Sequence, residues 1–177
     1  MLRILLPVLC LASATVPACA ADLSTLGCVE GKLDDATRDQ IQKDVTRNLG
    51  LIGLRGSYSQ SVVDAASKAG TACTSENGWT PAAGRLAVLY TLAKLSLPVV
   101  QQAATNRGMD PAALEALFQA LPEETRSKPL TNDSYRQLAD AAIPEGDGRT
   151  REAGALLHTF FEFESILQYA SLDFSAA

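Results

Sequence analysis

Between Leu156 and Ala170 apolar side chains recur at a four-three spacing: Leu156, Phe160, Phe163, Leu167 and Ala170, with Leu157 and Phe161 widening the stripe. On a helix of 3.6 residues per turn these positions share one broad face. A stripe that wide must be enclosed by neighbours, so residues 150–171 read as the central helix of a bundle. The same rhythm runs through the rest of the chain, and apolar residues nowhere alternate with polar ones over a strand's length. The expected fold is all-α, an irregular orthogonal or up-down bundle of about five to seven helices.

Starts and stops divide the chain. Asp34 or Asp35 caps a first long helix bearing Ile41, Val45 and Leu49, which ends at Gly50. Ser59 or Ser61 opens a second, with Val62, Val63, Ala66, Ala69 and Cys73 before Asn77-Gly78. Thr80-Pro81 starts a third, which Pro98 either kinks or restarts and Gly108 closes. Asp110-Pro111 repeats that opening, and the echo between residues 78–83 and 108–113 reads as two similar helix starts, not a structural repeat. A weak turn at 122–127, a helix from Thr131 or Asn132 to Ile143 and a loop over 144–148 precede the final helix.

The N-terminus has a different grammar. Arg3 precedes an apolar run over 4–16, and Ala18-Cys19-Ala20 forms a small-residue exit. That pattern is a secretory signal peptide, too short to span a bilayer. Residues 1–20 are assigned to it and 21–177 to a single helical domain, with 22–33 as a strap on the bundle of 34–177. Cleavage after Ala20 releases the chain. Alternatively, Val16-Pro17-Ala18-Cys19 loosely resembles a bacterial lipobox, which implies a lipid anchor at Cys19. Both exits lead to the bacterial envelope, most simply to the periplasm of a Gram-negative cell.

Removing the signal also removes Cys10 and Cys19. Cys28 and Cys73 remain, and in an oxidising compartment such a pair reads as a disulfide tying the strap to the end of the second helix. No Cys-x-x-Cys suggests redox work. The signal takes Arg3 with it, leaving 14 basic against 20 acidic residues and a net charge near −6. That balance disfavours nucleic acid and anionic lipid surfaces. No segment after the signal reads as a transmembrane span.

Chemistry-bearing residues are sparse. His158 is the sole histidine, so no multi-histidine metal site and no cofactor is expected. Glu162 lies four residues on and shares its face, as an acid–base pair or as a half-buried histidine beside a solvated carboxylate. Glu164 sits at the edge of the phenylalanine stripe, where desolvation raises a carboxyl pKa unless a cation such as Arg85 reaches it. The stretch 49–58, with glycine at 50, 53 and 56, offers Leu51, Ile52, Leu54, Arg55 and Tyr58 as a binding loop or a plain connector. The acidic residues 145–147 lack calcium-loop spacing.

Two functional classes fit. One is an envelope binding or interaction protein, such as an inhibitor, an immunity-like protein or an assembly accessory, whose partner is another envelope protein. The other is a small envelope hydrolase using Glu164 or Glu162 as general acid. The first requires an exposed apolar patch. The second requires a cleft in which one glutamate meets a second carboxylate or His158.

Overall fold

The computed structural model describes residues 21–51, 56–143 and 150–177. Residues 1–20, assigned to a signal peptide and including Cys10 and Cys19, lie outside the described residues, as do 52–55 and the loop 144–149. A 3-10 turn, Leu23–Thr25, leads into α1 (Cys28–Lys32), α2 (Asp35–Leu49), α3 (Gln60–Asn77), α4 (Pro81–Thr105), α5 (Pro111–Gln119), α6 (Glu123–Arg126), α7 (Asn132–Ala142) and α8 (Arg151–Ala176). The described residues contain helices and no strands, and one disulfide joins Cys28 to Cys73. The six helices of nine residues or more meet the expected number, while α1 and α6 are single-turn additions.

The helix starts follow the expected side-chain chemistry. Asp34 accepts from the Thr37 N–H at 2.8 Å, Thr80 from Ala83 at 3.1 Å, Asp110 from Ala112 at 3.0 Å and Thr150 from Ala153 at 3.1 Å. Each bond satisfies a donor that the first helical turn leaves open. The echoed segments are indeed two stop-and-cap units. Gly78 (φ 65°) and Gly108 (φ 75°) take the left-handed conformation that ends one helix, and Pro81 and Pro111 begin the next.

Pro98 does not divide α4, which runs unbroken for 25 residues. Its buried face is made almost wholly of small residues, among them Ala83, Ala87, Ala93, Ser96 and Ala104. Opposite stands α8 with Leu156, Leu157, Phe160, Phe161 and Phe174. Small against large lets the two helices interdigitate at close range, and theirs is the largest helix–helix interface in the bundle. Helices α2 and α3 pack on α4, while α5, α6 and α7 pack on α8. The final helix is therefore central, as its stripe requires. It extends beyond 171 to Ala176, where Phe174 meets the Trp79 ring edge-on at 5.0 Å.

One expectation needs correcting. By length and composition α4 could cross a bilayer, with a mean hydropathy of 1.3 over 18 residues. Pro98 and the polar positions Thr91 and Ser96 disguise this in the sequence. In the bundle, α8, α3 and α2 pack against that apolar surface.

The strap is held at several points. The disulfide links α1 to α3 across 45 residues, Lys32 pairs with Glu76 at 2.8 Å and Lys94 with Glu30 at 2.7 Å. Trp79 Nε1 donates to Thr25 Oγ1 at 3.1 Å, which joins the 3-10 turn to the α3–α4 corner.

Candidate functional site

The candidate residues separate into three places. On α8, His158 and Glu162 do share a face, with Nδ1 and Oε2 4.0 Å apart and both side chains about half exposed. The Tyr135 ring of α7 stacks on His158 at 4.2 Å. Burial and the Glu162 charge push the Tyr135 hydroxyl up to about 12. Burial, followed by smaller effects that include the same charge, also raises Tyr169 and Tyr58. Tyr58, a candidate from the loop, thus lies within reach of a candidate on α8 and bonds Ser96 Oγ at 2.8 Å. At 4.0 Å the histidine and glutamate form a loose ion pair and no direct hydrogen bond.

Glu164 lies two residues along, on the other side of α8. It is only 8% exposed. The buried face is centred nearer Leu157 and Phe161 than the four-three stripe implies, so this glutamate sits within it and not at its edge. Burial and the charge of Glu115 on α5 push its carboxyl up to about 7. No hydrogen-bond donor or cation satisfies it among the described residues. Arg85, the partner considered for it, is exposed and lines a groove on α3 and α4 instead. The role of Glu115 is invisible in the sequence, because it is one of several acidic residues on exposed helix faces.

The loop after α2 is anchored by a residue that sequence reasoning missed. Asp44 is fully buried and accepts from the Ser59 N–H at 2.7 Å, Gln40 Nε2 at 3.1 Å and Arg47 Nη1 at 2.8 Å. Burial alone would raise its pKa, but these donors outweigh burial and hold the carboxyl below its usual range. Arg47 Nη2 and Asn48 Nδ2 both donate to the Ser57 carbonyl. The signal was present: Asp44 falls at helical spacing between Ile41 and Val45, inside an apolar stripe. Leu51 is 38% exposed and Tyr58 half-buried, while Ile52, Leu54 and Arg55 lie outside the described residues.

The third place is a groove of about 450 Å³ between antiparallel α3 and α4. Its register is set at two glycines. A Cβ on Gly70 would collide with the Val88 side chain, and one on Gly84 with that of Thr74, so glycine at both positions makes room for these side chains between the helices. Val63, Ala66, Val88 and Leu92 line one end, and Thr71, Thr74 and Arg85 the other. Val63 is 44% exposed, an unusual position for a large aliphatic side chain. Arg85 is the sole charged residue of the lining and has no ion pair among the described residues. In the sequence the only sign of this groove was glycine inside two otherwise regular helices. The groove is lined by neither Glu162, Glu164 nor His158.

Among the described residues no group of three or more His, Cys, Asp or Glu side chains could hold a metal ion. No family model, curated protein or solved structure matches the chain.

Proposed function

We propose that this chain is an exported binding or interaction protein of the bacterial envelope, acting in the periplasm through the α3/α4 groove. The observation that carries the reading is the groove itself, a mostly apolar surface between two helices whose packing requires glycine at 70 and 84. The Cys28–Cys73 bond ends on α3 and suits an oxidising compartment. The signal-like residues 1–20 supply the route, with cleavage after Ala20 or acylation at Cys19 as its two exits. The groove takes the role first assigned to the loop, whose exit is tied down by Asp44, Arg47 and Asn48.

Affinity capture from a native envelope fraction tests this reading. The unaltered chain should retain a component that Ser67→Trp, which fills the groove from its rim, fails to retain. Identical capture by both would remove the groove from the function.

Glu164 favours a second reading, a small hydrolase. A carboxyl held near 7 suits a general acid, and Glu115 supplies a neighbouring carboxylate. Against it, Glu164 is buried at a helix junction with little surface for a substrate to reach. Turnover of an envelope polymer that vanishes in Glu164→Gln would favour this reading over the first.

A further inference from the structure

The groove is polarised along its length, and the polarity identifies what fits it. The Gly70–Gly84 contact places Thr74 beside the start of α4, so Thr71, Thr74 and Arg85 share one end. Val63, Ala66, Val88 and Leu92 form the other with Ser67 at its rim, while Pro81 adds an apolar wall at the Arg85 end. Thr71 and Thr74 already donate their hydroxyls to the Ser67 and Gly70 carbonyls. The Arg85 guanidinium is therefore the donor left at the polar end, and its fork matches a carboxylate in two parallel bonds.

Length and lining bear on the occupant. The α3 wall from Val63 to Thr74 spans about 17 Å at helical rise. The groove along it is open to solvent on one side and its walls are mostly apolar, so an extended hydrocarbon chain can lie along it. Charge narrows the occupant: Arg85 is the one charged residue of the lining, and its guanidinium matches a single carboxylate head.

We infer that the α3/α4 groove holds one long-chain fatty acid, its carboxylate on Arg85 and its tail over Val63, Ala66, Val88 and Leu92. This rests on the reading of the groove as a binding surface and names its ligand class. It places no lipid beside Phe160 and Phe161, which are fully buried in packing against their neighbours.

Calorimetric titration of the full exported chain tests the inference, with myristate below its micelle concentration as the probe. Methyl myristate and tetradecylammonium serve as the uncharged and cationic counterparts. Myristate should bind one-to-one, with each counterpart roughly tenfold weaker or more, since a charge-assisted pair contributes at least that factor. Arg85→Gln should lower myristate affinity by about the same factor and erase the preference over the ester. Arg85→Glu should turn the preference towards tetradecylammonium, and Ser67→Trp should abolish binding of all three.

Absence of saturable myristate binding to the unaltered chain overturns the inference. So does equal binding of the three probes, or an affinity indifferent to Arg85. If myristate fails to bind while Ser67→Trp still loses an envelope component, the fatty acid is wrong and the binding-protein reading stands. If neither effect is seen, both fall.

Discussion

Helix α8 and the α3/α4 groove divide between them what an active site would need in one place. The α8 side carries titratable groups: Glu164 raised to about 7 beside Glu115, and Glu162 with His158 among tyrosines. There the unusual ionisation belongs to a side chain largely covered by packing, and the exposed pair stands 4.0 Å apart with no direct hydrogen bond. The groove has the open apolar walls and the space, with Arg85 as its one charge. A shifted pKa points to function when it sits in a cleft, and to packing cost when it does not. The contrast with Asp44 makes the same point, because that carboxylate has even less exposed surface yet is held low by its donors.

The largest expected effect concerns the scaffold of the groove. Replacing Cys28 and Cys73 together by serine should lower unfolding stability by up to ~4 kcal/mol, the chain-entropy value for a loop of this size. Denaturant titration would measure it. Ligand binding at the groove should weaken with α3 released, while Glu164 should still titrate near 7 by carboxyl NMR. Loss of the Glu164 shift as well would mean that the two regions are not independent.

Next in size is Glu164→Gln. The folded carboxyl is raised above its unfolded value, so the native state is penalised as pH rises from the ordinary carboxylate range through about 7. Discounted for the solvent that still reaches the carboxyl, the variant should be more stable than the parent by about 1–3 kcal/mol at pH 8 and by less than about 1 kcal/mol at pH 5. Urea unfolding at the two pH values checks the sign, and groove binding should not change. A variant that is equally or less stable at pH 8, or that loses the bound component, would place the working site on α8.

The smallest effect is expected at Glu162→Gln. Stability should move within about 0.5 kcal/mol, as for an exposed position. The Tyr135 hydroxyl should fall from about 12 towards the ordinary tyrosine value, since the neighbouring charge is removed and burial remains. Ultraviolet titration reads this directly. A large loss of stability would show that the histidine–glutamate–tyrosine group holds α7 to α8.

Much of the fold was legible because its determinants are local. Caps at Asp34, Thr80 and Asp110, stops at Gly78 and Gly108 and the wide stripe of α8 act within one or two turns. The disulfide was legible by elimination once Cys10 and Cys19 were assigned to the expected signal peptide. The site was less so. A groove exists only when two helices meet, and nothing in the spacing of Gly70 or Gly84 says that each faces the other. The burial of Glu164 was half visible, since the stripe placed it at an edge and packing by α5 shifted that edge. Glu115 became relevant only through tertiary contact. Asp44 could have been found, because an acidic residue inside an apolar helical stripe demands donors.

The most direct test of the groove as the working surface is site-specific photo-crosslinking in the exporting cell. A photoreactive side chain is placed at Val63 in one version of the chain and at His158 in another. Both positions are well exposed, at 44% for Val63 and 52% for the His158 side chain, so access does not bias the comparison. The expected result is an adduct at position 63, of fatty-acid mass if the further inference holds, and none at 158. Adducts at 158 with none at 63 would contradict the assignment and move the function to the face of α8.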